Sequence, residues 1–360
     1  MDHEIKTYAL PAVALQYRFV SVHRIVGLSG PPEAIPVETG LPATRAHLTS
    51  DPNAALQELD RHGALTRGVL AMLFQGSSLA LTPQEIDNAV ASFIQEREQK
   101  FGAGTYLVVE VDGETVSTPS EIKDLAWAGV AFEAVDKLAL VEQHQDLIRT
   151  VLVATALAVE TTPDILKVAE GVTLALPDRR PLYSFQFSMG AAELNHARPA
   201  APRDAGQIRQ NILGLMNNSE LTRCARLLID SLRSKADRLE AFIFGWAALE
   251  MLIKKFTRQC EEGRWIEAVP EPKHEEARRL HEQHLEGGHQ YYSLADKARV
   301  FAFLHGIDTV NELGATVTRL HKQFREPLYH EGRFAEPDLP IGELTQLVKQ
   351  LLGSIVQPQG

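Results

Sequence analysis

Apolar positions recur along the chain with two different periods. In residues 5–29, the runs 15–22 and 25–28 are dense in β-branched and aromatic side chains and predict extended chain, which Gly30, Pro31 and Pro32 then end. The prolines spread through 31–53 predict loop. Residues 105–111 read as a further strand, with Asp112-Gly113 as a tight turn into 114–116. Residues 172–176 and 182–187 read as two strands around a turn at Pro177-Asp178. Helical patterns lie between these strands. Asp51-Pro52 predicts a helix start, with the carboxylate as cap and the proline first in the helix. Thr82-Pro83-Gln84-Glu85 predicts a capping box, and Ile86, Val90, Phe93 and Ile94 follow at helical spacing. Helical pieces are also expected around 122–125 and 146–158.

The pattern changes near residues 197–202, where Pro199 and Pro202 stop regular structure, and from about 204 only the 3.6-residue period remains. Leu221, Ala225, Leu228 and Leu232 fall on one face. Leu239, Phe242, Ile243, Trp246, Leu249, Ile253 and Phe256 make a broad stripe. Ser293 with Asp296, and Thr309 with Glu312, predict two more capped helices, and Leu344, Leu347 and Leu351 a last one. The expected architecture is an α+β N-terminal region over 1–200, followed by an all-α helical bundle over 204–355.

Composition narrows the classes of function. The 360 residues are 44% hydrophobic, enough for packed cores, and the formal net charge is −11. An acidic chain does not coat nucleic acid through its average field, so any RNA contact is expected to be local. Two cysteines, Cys224 and Cys260, are too few for a disulfide scaffold, and Cys224 lies in an apolar stripe as a small core residue. Residues 1–6 are charged and show no signal-peptide pattern. The most apolar stretch, 150–159, is shorter than the roughly 20 residues a membrane span needs. The expected location is cytoplasmic, with no membrane partner.

One segment concentrates candidate chemistry: Arg325-Glu326-Pro327-Leu328-Tyr329-His330-Glu331-Gly332. An imidazole that titrates near neutrality moves protons, and a fixed guanidinium holds a phosphate and the charge that grows on it. In a straight helix residues five apart lie about 140° round the axis. Pro327, which clashes with the carbonyl of Gln323, is expected to kink the helix and bring Arg325 toward His330. Glu250 sits within the apolar stripe of its helix and needs a partner; Lys254 at i+4 is one candidate. His274, His281, His284 and His289 cluster in 273–290, but no third ligand accompanies the His281/His284 pair, so neither a metal nor another cofactor is expected. Gly102-Ala103-Gly104 precedes a strand rather than opening a helix, so it is not a dinucleotide or phosphate loop.

The stretch from about 204 to 353 resembles the HEPN superfamily, the higher-eukaryote and prokaryote nucleotide-binding helical domains. The resemblance rests on the Arg325-x4-His330 spacing late in a helical domain, on Trp246-Ala247-Ala248-Leu249-Glu250 in a long helix, and on residues 232–239 leading into it. It implies a metal-independent endoribonuclease of the toxin, abortive-infection or antiviral-defence type. Its substrate would be RNA, cut by attack of the ribose 2′-oxygen on the adjacent phosphate. It further implies a homodimer through the C-terminal domain with the two motifs facing a shared cleft, His330 and Arg325 as the catalytic pair, and Glu250, Glu326 and Tyr329 in support. Glu250 on this view faces the motif helix and orients Arg325, the alternative to the Lys254 pairing. The chain departs from the family, which often has Asn, Asp or His directly after the Arg, by placing Glu326 and then Pro327 there. That departure favours the alternative of a catalytically inactive binding or scaffold module. The N-terminal region is then expected to sense a trigger or bind a regulator that restrains the nuclease.

Overall fold

Strand β2 (Ala14–Ile25) organises the first part of the chain. It pairs antiparallel along its whole length with β6 (Thr105–Val116) on one side, and over residues 16–25 with β8 (Ile165–Ala175) on the other. β4 (Ile35–Val37), β5 (Thr44–Thr49) and β9 (Pro181–Phe187) extend this into a six-stranded antiparallel sheet, in the order β4-β5-β6-β2-β8-β9. The computed structural model describes residues 7–10, 12–75, 82–117, 120–123, 135–159, 163–179, 181–187, 198–218, 221–233, 237–257, 264–287, 292–330 and 336–356. Within them an antiparallel-sheet region is followed by a mostly helical part. By internal packing the chain forms two units: Met1–Ile148 with Ile165–Gly206, and Arg149–Asp164 with Gln207–Gly360.

The alternation of a strand sorts β2 onto two faces. Val20 and Val22, with Tyr106, Val108, Val168 and Ala169, bury against Leu56 and Leu59 of α1 (Asn53–Gln75) and Phe101 of α2 (Pro83–Phe101). Tyr17, Phe19, Ser21 and His23 occupy the other face. There the Tyr17 hydroxyl lies 2.9 Å from His144 Nε2, and the Phe19 ring lies 5.1 Å from that imidazole, in the first half of α3 (Lys137–Ala158).

Between α1 and α2, Arg97 Nη2 donates to both oxygens of Asp60 at 2.7 and 2.9 Å, and neither residue exceeds 3% exposure. Removing one member of a buried pair strands the other charge. Asp60→Ala is therefore expected to destabilise the protein by about 3–5 kcal/mol, read as a loss in urea-unfolding free energy. A loss below about 1 kcal/mol, the level of an exposed pair, would contradict this placement.

Several expectations change. The Thr82 box forms as read, with Thr82 Oγ1 accepting from the Glu85 amide. Asp51 Oδ1 likewise accepts from the amide of Asn53 at the start of α1. Asp112-Gly113 is not a turn: β6 runs straight through it, with Asp112 opposite Arg18 and Gly113 opposite Tyr17. A Cβ at position 113 would stand 2.3 Å from Tyr17 Cζ, so the glycine is there to let the tyrosine ring cross the strand. Residues 120–123 are not helical. They form β7 (Ser120–Lys123), paired with β1 (Thr7–Leu10), while Asp124 and Leu125 lie outside the described residues. β8 begins at Ile165, well before the expected 172.

In the second unit, α5 (Thr222–Arg233), α6 (Arg238–Phe256) and α11 (Ile341–Val356) pack together, and α6 also packs on α8 (Leu294–Leu304). Gly245 marks the closest approach: a Cβ there would meet both Leu344 Cδ2 and Ser231 Oγ at 3.1 Å. Leu221, Ala225, Leu228 and Leu232 are all buried, as the stripe predicts, and Cys224 is wholly buried, its thiol pushed up to about 11 by burial. Ile243, expected in the core stripe, is instead 37% exposed. Cys260 lies outside the described residues.

The boundary between units falls at Gly206–Gln207, close to the proline-rich break. The helical unit also takes Arg149–Asp164, which the sequence pattern placed with the first part. Val151, Leu152, Val153, Ala154 and Ala156 are fully buried in this segment. Asn211 Nδ2 donates to the Ala154 carbonyl at 2.9 Å, and Lys349 Nζ donates to that of Val159. Among the described residues no helix is long and apolar enough to cross a membrane.

Candidate functional site

Helix α6 starts at Asp237, whose Oδ1 accepts from the Glu240 amide at 2.9 Å. Residues four apart share a helix face, so Trp246, Glu250 and Lys254 stand in one row. The Trp246 indole Nε1 donates to Glu250 Oε2 at 3.2 Å, and Lys254 Nζ donates to Oε1. Burial alone would raise the Glu250 carboxyl. Lys254, the Trp246 indole and the charge of Arg325 outweigh it and hold the group below the usual carboxylate range. Of its two expected partners Glu250 pairs with Lys254, and the charge of Arg325 adds to the lowering of its carboxyl.

Arg325 reaches this row from a helix with an unusual middle. After α9 (Val310–Leu320) the chain makes one π turn, His321–Arg325, and then resumes as α10 (Glu326–His330). Thr309 does not cap α9 through its side chain; its φ/ψ of −86°/46° is not the extended backbone that a capping hydroxyl needs. The π turn has a local cause in Pro327, which brings no amide hydrogen and whose ring crowds the carbonyl four residues back. Widening the preceding turn relieves that crowding, and the Glu326 amide bonds the His321 carbonyl, five residues back. The proline's crowding is therefore taken up as a wide turn before it. At straight α-helical spacing His330 would lie about 140° round the axis from Arg325; here Arg325 ends the π turn and His330 ends α10. The side chains of Tyr329 and His330, and all of Glu331 and Gly332, lie outside the described residues.

The π turn brings together residues five apart. His321 Nδ1 lies 3.5 Å from Glu326 Oε1, with the two side chains 33% and 49% exposed. The His321 ring also packs on Trp246, centroids 5.8 Å apart. Glu326, expected in support of Arg325, takes His321 as its partner. His321 is the residue that sequence reasoning missed, and its signal was a proline six residues downstream of a histidine inside a helical pattern.

The other candidates separate from this cluster. In α7 (His274–Glu286), His274 Nε2 is 2.6 Å from the Val269 carbonyl, His281 Nδ1 is 2.5 Å from the Tyr292 hydroxyl, and His284 stacks on the Tyr292 ring at 3.8 Å. These three histidines lie against a backbone carbonyl and a phenol, and His289 lies outside the described residues. Among the described residues no group of three or more His, Cys, Asp or Glu is placed to hold a metal ion.

The sheet unit carries a cleft of about 630 Å3 bordered by Arg18, Arg45, Glu58, Asp112, Thr173 and Arg179. Asp112 takes up two of these arginines, Arg18 at 2.9 Å and Arg45 at 3.2 Å. Ser21, His23 and Glu170 meet in the same unit, Ser21 Oγ standing 2.8 Å from His23 Nε2 and 3.2 Å from Glu170 Oε2. At 0%, 0% and 2% exposure they are a buried polar network that no substrate reaches.

Comparison with protein-family models, with curated proteins and with solved structures finds no match to this chain.

Proposed function

We propose that the helical unit is a metal-independent endoribonuclease of the HEPN type, of the kind that acts in toxin or antiviral defence systems. Its main support is the meeting of α6 with the arginine-bearing turn: Glu250 feels the charge of Arg325, and Trp246 packs on the same turn through His321. The HEPN resemblance implies this relation between the Trp246–Glu250 row and the motif. In the mechanism the ribose 2′-oxygen attacks the adjacent phosphorus and the bond to the 5′-oxygen breaks, leaving a cyclic phosphate. Arg325 holds the phosphate oxygens and the charge that gathers on them. His330 moves protons, and Glu250 restrains Arg325. The sheet unit is assigned the binding of a trigger or regulator.

Cleavage of total RNA by the full chain is expected to persist in excess EDTA and to leave cyclic-phosphate ends, read by end-group analysis of the products. Activity abolished by chelation would replace this mechanism with a metal-assisted one.

A homodimer through the helical unit is also expected. At straight α-helical spacing about 140° would separate the Arg325 and His330 positions within one chain, so a second copy is needed to complete the pair across a shared cleft. Light scattering on the full chain should give twice the monomer mass at tens of micromolar, and a monomer there would contradict the shared cleft. A fragment starting at 204 would lack Arg149–Asp164 and is not a fair test.

A further inference from the structure

Arg325 shares the Trp246–Glu250 row with a histidine in this structure, and that histidine is His321. Both border the Trp246–Glu250 row, His321 through its ring on the indole and Arg325 through its charge on the carboxylate. The surroundings of His321 are those of a working imidazole. A carboxylate, Glu326, stands behind Nδ1 at 3.5 Å, and among the described residues Nε2 has no hydrogen-bond partner. A third of the side chain is exposed. The other described histidines of the helical unit are engaged differently: His274 and His281 are bonded at a ring nitrogen, His284 is stacked, and burial among the rings of Phe256 and Phe301 pushes His305 down. Among the described residues the charged groups of this row and turn are Glu250 and Lys254 from α6, Lys322 and Arg325 from the π turn, and Glu326 at 3.5 Å from His321.

Cleavage by a 2′-hydroxyl needs two proton transfers, one off the attacking oxygen and one onto the leaving oxygen. We propose that His321 is the base of the site: its Nε2 takes the proton from the ribose 2′-hydroxyl while Arg325 holds the phosphate. This rests on the ribonuclease reading above. The bond from the 2′-oxygen to phosphorus forms, the bond from phosphorus to the 5′-oxygen breaks, and His330 delivers a proton to that departing oxygen. His321 ends protonated and His330 neutral, and water exchanges both back. Glu326 is the positioning residue. It keeps the proton of neutral His321 on Nδ1, so that Nε2 faces the substrate as acceptor, and it steadies the cation that forms. The glutamate that departs from the HEPN pattern thereby acquires a role.

The test uses the full chain, EDTA and two versions of a single-stranded RNA oligonucleotide. One is ordinary; the other carries sulfur in place of the 5′-bridging oxygen at the cut, a leaving group that needs no proton. On ordinary RNA, His321→Ala is expected to lose about 10²–10⁴-fold in kcat/KM and to lose the rising limb of the pH profile, with partial rescue by added imidazole. On the sulfur substrate the His330→Ala defect should shrink and the His321→Ala defect should remain. Glu326→Gln should lower kcat on both substrates and leave KM unchanged, the mark of an imidazole no longer held for proton transfer. His321→Gln, of similar length and unable to carry the proton, should match His321→Ala if the alanine variant folds poorly. Wild-type rate and pH profile in the His321 variants, in a protein whose cleavage still requires Arg325, would overturn this inference alone. Absence of cleavage by the wild-type chain on either substrate would overturn the ribonuclease reading and this inference with it.

Discussion

Replacing Arg325 with Ala is expected to lower RNA cleavage about 10²–10³-fold, the usual cost of removing one fixed donor to a developing oxyanion. His330→Ala is expected to cost about 10²–10⁴-fold, the range for a general acid or base. Both variants should melt within a few degrees of wild type. Arg325 is only partly buried, and the carboxylate it faces, Glu250, keeps Lys254 and Trp246 as partners. Arg325→Lys should rescue little, because a compact ammonium cannot grip two phosphate oxygens as the planar guanidinium does. The readout is cleavage rate, or growth arrest on expression, paired with a melting curve. A His330→Ala variant that melts and cuts like wild type removes this histidine from the mechanism.

Trp246→Ala should behave in the opposite way, as a stability defect. The indole is 3% exposed, stacks with Phe242 at 6.4 Å and carries the Glu250 hydrogen bond and the His321 ring. Truncating a large buried aromatic leaves a cavity and costs roughly 3–5 kcal/mol. Here the loss also releases one of the contacts that tie Glu250 down. The expected result is a clear drop in denaturant midpoint, with cleavage falling only as far as the folded fraction and the loosened Glu250 dictate. A variant as stable as wild type but inactive would mean that the indole faces substrate, against its burial.

What the sequence made legible follows from the range of the forces involved. The boxes at Thr82/Glu85 and Ser293/Asp296 form as read, because a capping box is settled by four consecutive residues. Thr309/Glu312 carries the same letters, and the backbone entering that helix takes a conformation they cannot cap. Asp112-Gly113 carries a strong local turn signal. It lost to twelve paired positions between β2 and β6, and to a tyrosine ring that only a glycine opposite could admit. The strand at 120–123 needs the distant β1 as partner, so nothing near it in sequence announces it.

In the site, the pairing of Glu250 with Lys254 was readable, since a carboxylate in an apolar stripe must find a charge. His321 was not. It is joined to Glu326 by a π turn, and that turn depends on where the helix chose to absorb Pro327. Reading a motif forward from its arginine at α-helical spacing could not reach back four residues to His321 in a wider turn.

The most direct test of the central claim is RNA cleavage by the full chain in excess EDTA, measured side by side for wild type and Arg325→Ala at equal folded fraction. The account predicts that wild type cuts and leaves cyclic-phosphate ends, while the variant is slowed at least about 100-fold. Wild-type protein that leaves RNA intact, or an Arg325→Ala variant that cuts equally well, would contradict it and leave the helical unit as a binding or scaffold module.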